Sequence, residues 1–257
     1  MTAAPGRRER QRQATLDEIV EASRAILAAG GELSLRAVAQ RMGMTAPALY
    51  RYVASYQDLL RVVAIGIDAA MAREFLEPAR DSQPEDDPAA RITAAALAFR
   101  RWALASRNEF SVVFANMDVA SLCLDPTLVE TTLAKVSASG VLFNDLLVEI
   151  WQKYDTPYPE LADLDDDLVE ILRDPIMPGA PVEIPDDLRG LLWVFTQSWA
   201  ALYGTVTLEV FGHIDPRMIS TGVLFRQMFR TQAGILGLAD ELPRLEPLIV
   251  AGLGSQG

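Results

Sequence analysis

Apolar side chains recur every three or four positions along most of this chain. That is the period of a helix buried on one face. Leu16, Ile19, Val20, Ile26 and Leu27 predict a first helix over 12–29, closed by Gly30-Gly31. Ser34 is placed to cap a second, short helix through Arg41, and Gly43 breaks it. Thr45 is placed to cap a third helix, whose first turn tolerates Pro47 because its amides lack intrahelical partners. Ser55 and Asp58 match a loose capping box that opens a fourth helix through about Leu76. The stretch EPARDSQPEDDP, Glu77 to Pro88, predicts a polar loop. Helices are expected over 89–106 (Ile92, Leu97, Phe99, Trp102, Leu104), 108–122, 126–140 and 141–153. From Tyr154 to Asp187 prolines and acids dominate, which predicts a long connection with one short helix near 165–173. Two long apolar helices, Asp186–Phe211 and Asp215–Gly237, are expected to close the chain. No run of alternating β-branched residues stands between turns, so the fold class is all-α.

Charge changes this picture. The chain of 257 residues has a formal net charge of -12. Residues 1–61 nevertheless hold nine arginines against six acids, a net +3, and the remainder carries −15. A basic head precedes an acidic body. The linear division is therefore an N-terminal unit over 1–62 and a larger helical unit over 63–257, with the acidic, proline-rich connection inside the latter. One segment, Gly190–Leu208, has no charged residue and about the length of a membrane span. Thr196, Gln197, Ser198, Thr205 and Thr207 interrupt it, which favours a helix buried at a protein interface over a span. No signal-peptide pattern opens the chain, and its single cysteine, Cys123, forms no intrachain disulfide, so a cytoplasmic setting is expected.

Catalytic chemistry has little to work with. The lone histidine, His213, follows a glycine at a helix end and has no evident acid or base partner. The aspartates of Asp163-Leu-Asp-Asp-Asp167 lack the spacing of a cation loop and read as a solvated run. No enzyme activity, cofactor or metal is expected.

The informative segment is LSLRAVAQRMGMTAPALYRYV, Leu33 to Val53. Two short helices joined through Gly43 form a helix-turn-helix unit. Val38, Met42, Met44, Leu49 and Tyr52 occupy its packing positions and Ala39 is the small residue where the helices cross. Arg36, Gln40, Arg41, Thr45, Ala46, Pro47, Tyr50 and Arg51 fall on the outside, and they suit phosphates and base edges. Over about residues 10–65, and most closely in SLRAVAQRMGMTAPALYRYVASYQDLL, the chain resembles the DNA-binding domain of the tetracycline-repressor (TetR) family of bacterial regulators. The stretch TQSWAALYGTVTLEVFGH also resembles the C-terminal module of a subgroup with a Trp-His-Gly signature. Here Trp199, Tyr203 and Gly204 stand at its positions, with tyrosine replacing the histidine.

The resemblance implies a three-helix DNA-binding head, a connecting fourth helix, and a ligand-binding body that dimerises through its last two long helices. Its DNA contacts carry over to Arg36, Thr45, Ala46, Pro47, Tyr50, Arg51, Tyr52 and Tyr56, the last standing where the family commonly has a phosphate-binding lysine. Arg7, Arg8, Arg10 and Arg12 are expected to precede the first helix as an arm on DNA. By the same analogy Trp102, Phe114, Met117, Phe143, Trp151, Trp193 and Gln197 line a pocket for an apolar effector. The function implied is a repressor released from a palindromic DNA operator by a small lipophilic molecule. The alternative is a helical protein of the same shape that has lost DNA binding, which Tyr56 and the small side chains of the third helix keep open.

Overall fold

A computed structural model describes residues 6–116, 137–175 and 185–254. They are helical throughout, with no strand among the described residues. The order is α1 (Arg7–Ala28), α2 (Leu35–Arg41), α3 (Ala46–Leu49), α4 (Tyr56–Met71), a π-turn (Ala72–Leu76), α5 (Glu77–Asp81), α6 (Pro88–Ala105) and α7 (Arg107–Phe114). Then come α8 (Ala138–Tyr154), α9 (Asp166–Arg173), α10 (Arg189–Val210), α11 (Pro216–Thr221), α12 (Val223–Ile235) and α13 (Leu242–Gly254). No helix among the described residues is long and apolar enough to cross a membrane.

The helices fall into two compact units. One takes the chain up to Ala70 together with the segment that starts at Ser106. The other takes Met71–Ala105 and the remaining described residues. In the first, Ile19, Val38, Leu49, Leu59, Val63 and Ile67 are fully buried. Each lies on the inward stripe that helical period assigns to it, so the unit closes around one apolar centre. Helix α7 joins this core: Phe110 is fully buried, Asn108 donates to the Leu27 carbonyl at 2.9 Å, and Arg24 pairs with Glu109 at 2.9 Å. In the second unit α6 is buried almost all round, from Ile92 to Arg100 without a break. A helical stretch buried on every face has neighbours on every face.

Four sequence expectations change. The first helix starts at Arg7, not Arg12, so Arg7, Arg8, Arg10 and Arg12 are exposed helical residues, not an arm. Arginine, glutamine, glutamate and alanine are good helix formers, and only the apolar marker begins late. The expected loop Glu77–Pro88 is helical as far as Asp81. The expected helix Asp215–Gly237 is two helices, parted at Gly222, whose φ of +62° is the left-handed conformation of a helix end. The chain does not close there either, since α13 follows with Pro247 inside it. Proline at that position masked the helix in the sequence. The helix expected over 126–140 lies mostly outside the described residues, as do Met117 and Cys123.

Candidate nucleic-acid interface

In the first unit the turn between α2 and α3 is built from local chemistry. The Ser34 hydroxyl accepts from the Ala37 amide at 3.2 Å and starts α2. Gly43, at φ +65°, reverses the chain at no steric cost, and the Met44 amide donates to the Ala39 carbonyl at 2.9 Å. Thr45 enters α3 through its carbonyl, which accepts from Ala48 and Leu49 at 2.9 and 3.2 Å. Its side chain makes no cap bond, contrary to the expectation from sequence, and Thr45 is exposed. One α-turn completes α3, and Tyr52 and Val53 still donate to the Leu49 carbonyl, so the turn carries on past it. Ser55 then accepts from the Asp58 amide at 3.0 Å, and Asp58 reaches back to the Ala54 amide at 3.1 Å. The capping box is real but displaced by one residue from the reciprocal form.

Beneath this frame Val38, Ala39, Leu49 and Val53 are buried, which pins α2 and α3 to the core. Outside it stand Arg36, Gln40, Arg41, Thr45, Pro47, Tyr50, Arg51 and Tyr56, all exposed. Tyr50 is half exposed although aromatic side chains elsewhere in the chain are mostly covered. Ala46 and Tyr52 are half-buried and present only part of their surface. Arg12, from α1, reaches the Arg51 carbonyl at 3.5 Å, so Arg12 shares this surface with the end of α3. Exposed hydroxyls, a phenol and arginines are the groups that contact phosphates and the major-groove edges of bases.

The second unit holds an aromatic cluster. Phe99 lies 6.2 Å from Trp102, 6.2 Å from Phe143 in an edge-on arrangement, and 5.9 Å from Trp199. Trp199 stacks on Tyr203 at 6.2 Å. Of the residues expected around a pocket, Trp102 and Phe143 therefore meet through Phe99. Trp151 and Trp193 are half-buried, and Gln197 is exposed on α10. Phe114 belongs to the first unit, packed on Phe110 at 5.1 Å. The uncharged stretch Gly190–Leu208 of α10 does not disclose its inward face by charge, which is why Gln197 looked like a lining residue while Trp199 and Tyr203 stood only as signature positions.

Sequence reasoning missed Arg100 and Glu209. The Arg100 guanidinium donates to Glu209 Oε2 at 2.6 Å and to the Ile219 carbonyl at 2.9 Å, and both charged side chains are buried. The available signal was an arginine within the alanine-rich run of α6 and a glutamate after the uncharged stretch of α10. No group of three or more metal-ligating side chains occurs among the described residues.

A recognition-type turn in one helical unit, with a second all-helical unit in the same chain, defines a helix-turn-helix transcriptional regulator. The match to known proteins agrees. The family described as "Tetracyclin repressor-like, C-terminal domain" matches residues 92–232, more than half of the chain, and the chain belongs to it. It is similar to the HTH-type transcriptional regulator Rv1816 of Mycobacterium tuberculosis (strain ATCC 25618 / H37Rv), at 27% identity over 245 residues, 91% of this chain and 97% of that protein. The regulator Mb1846 of Mycobacterium bovis matches at the same identity and coverage. Among solved structures, the putative regulatory protein SCO4313 shares the fold with a TM-score of 0.54 at 21% identity, covering 90% of this chain and all of that one.

Proposed function

We propose that this regulator is a cytoplasmic homodimer that sets two copies of α3 into successive major grooves of a palindromic operator and leaves it when a small apolar molecule binds the body. The observation that carries the reading is the outward Tyr50-Arg51 pair, at the end of a helix whose inward Leu49 is fully buried. Arg51 suits the acceptors of guanine, Tyr50 and Thr45 suit phosphates, and Arg36 adds charge from α2. Ala46, Pro47, Tyr52 and Tyr56 complete the proposed contact set. The role is binding, with no catalytic step.

Two features support dimerisation through α10 and α12. A Cβ added at Gly204 or Gly234 would meet nothing within 4 Å. Nothing inside the subunit requires glycine at either position, and Gly204, in mid-helix, costs about 1 kcal/mol relative to alanine. Close approach of a second chain supplies the missing reason. The exposed stripe Gln197, Ala200, Leu208 and Phe211 extends that face. The aromatic cluster around Phe99 is the proposed place for an apolar effector. By linkage, the effector weakens DNA by the same factor as DNA weakens the effector. Operator half-sites would sit about 34–36 Å apart.

Selection of duplexes from a random pool by the purified chain tests the reading. Wild type should enrich a palindrome, and Tyr50→Ala and Arg51→Ala should lose it while keeping wild-type thermal unfolding. A pool left unenriched at low salt would overturn it.

A further inference from the structure

A groove of about 360 Å³ runs along the second unit on a different face of α6 from the aromatic cluster. Two helical stripes form its walls. Phe75, Pro78, Ala79 and Ser82 come from the π-turn and α5, and Ala94, Leu97, Ala98 and Arg101 come from α6. Each set follows the i, i+3, i+4, i+7 spacing of one helix face. Leu248 and Gly252 of α13 close the floor. Ala94, Leu97 and Ala98 are buried beneath it, and the accessible lining comes from Phe75, Pro78, Ala79 and Leu248. From Ala94 to Arg101 the groove spans about 10 Å along the helix.

The π-turn shapes one wall. Pro78 has no amide to give the Glu74 carbonyl, and its ring would crowd that carbonyl in a regular α-helix. The chain widens instead, and the Glu77 amide donates to the Ala72 carbonyl five residues back. Such turns occur often at functional sites.

Charge gives the groove a direction. Arg101 is exposed at one end and meets no carboxylate or other acceptor among the described residues. That is unusual in this unit, where Arg80, Arg91, Arg100, Arg189, Arg217, Arg230 and Arg244 each pair with a carboxylate. Glu74 lines the same groove, but Arg73 holds its carboxylate at 3.0 Å. A single uncompensated cation beside an already compensated acid suits a monoanion and disfavours a dianion. The planar guanidinium suits a carboxylate in particular.

We infer that this groove is a second ligand site, which binds a medium-chain aliphatic carboxylate with its chain against Phe75, Pro78 and Leu248 and its head on Arg101. The site is separate from the proposed effector pocket, and its occupancy does not depend on the operator reading.

Calorimetric titration of octanoate into the full-length protein, without DNA, is the test. Wild type should bind one octanoate per chain. Arg101→Gln should weaken binding about tenfold, the loss of one charge-assisted pair, and Arg101→Lys should restore part of it. Ser82→Trp, at an exposed rim position, should abolish binding by filling the groove, with helicity and melting unchanged. 1-Octanol should bind more weakly than octanoate. Undetectable octanoate binding, equal affinity of octanol, or indifference to both Arg101→Gln and Ser82→Trp would overturn the site. A change of sedimenting mass in Ser82→Trp would also overturn it, by assigning the groove to a second copy of the chain.

Discussion

Arg100 and Glu209 place opposite full charges where almost no solvent reaches, 2% and 0% exposed. Burial pushes the Glu209 carboxyl above its ordinary value, and the hydrogen bond and charge of Arg100 pull it back. The pair is satisfied on several sides, by two contacts between the side chains, the Ile219 carbonyl, and the Phe225 ring 5.7 Å from the guanidinium. Removing one partner strands the other. Glu209→Ala should therefore cost about 3–5 kcal/mol in urea unfolding, and Arg100→Met with Glu209→Met should recover much of that. Equal stability of Glu209→Ala and wild type would show the pair to be idle. Gly190 is a second residue whose role lies in packing. A Cβ there would stand 1.9 Å from the Pro159 carbonyl oxygen, which is backbone and cannot rotate away. Gly190→Ala should lower stability by about 1–3 kcal/mol, read as a shift of the denaturant midpoint at constant slope. Both residues are plain letters in the sequence. Their partners are 109 and 31 positions away, and nothing local names them.

At the scale of elements, the best-specified piece is the turn from α2 to α3. Ser34, Gly43 and the buried Val38 and Leu49 each state a local requirement that any observer of the sequence can apply. Elements ended by proline or glycine were harder to bound. Pro78 did not end its helix because a π-turn absorbed it, and Pro247 stands within α13. The latter helix is held from outside. Arg244 donates to both oxygens of Asp87 at 2.6 and 2.8 Å, to Glu241, and to the Tyr154 hydroxyl at 3.2 Å. Asp87 also accepts from the Ala90 amide at the start of α6. Arg244 holds the Asp87 carboxyl below its usual range. A carboxyl depressed in the folded state contributes stability above its unfolded value and loses it as pH falls through the folded one. Stability should therefore fall as pH drops below the ordinary aspartate range, more steeply in wild type than in Asp87→Asn, as measured by melting across acid pH. A parallel loss in both would remove Asp87 from the account. The α10 and α12 faces carry a prediction of the same scale. Gly204→Leu should keep the subunit folded, since space is open and leucine favours helix, yet shift sedimentation from dimer to monomer. An unchanged dimer would place the interface elsewhere.

For the whole molecule the question is how a chain of net charge -12 approaches a polyanion. Salt screens charges beyond about 8 Å at physiological ionic strength, so the field near each phosphate is that of the neighbouring arginines. Arg36, Arg41 and Arg51 are exposed on the α2–α3 surface, and the acids of 163–167 are exposed on the other unit. Affinity for the selected operator should fall with salt, and Arg36→Gln should reduce the slope by about one without changing the selected sequence. Converting Asp163, Asp165, Asp166 and Asp167 to asparagine should leave that slope unaltered. A slope that follows the net charge instead would refute the local-field account.

Much of this was legible because helices announce themselves at short range. Period, caps and breaks are properties of neighbours in sequence, and a helix-turn-helix unit compresses them into some twenty residues. The all-α class, the turn at Gly43 and its outward arginines and Tyr50 needed nothing further. Tertiary structure alone decided matters that depend on distant partners. It assigned α7 to the core of the first unit, buried Arg100 against Glu209, turned Gln197 outward while gathering Trp199 and Tyr203 onto Phe99, and opened a groove beside an arginine that meets no acid. Each is a choice among faces that an apolar helix leaves equivalent, and only the surfaces packed against it can make that choice.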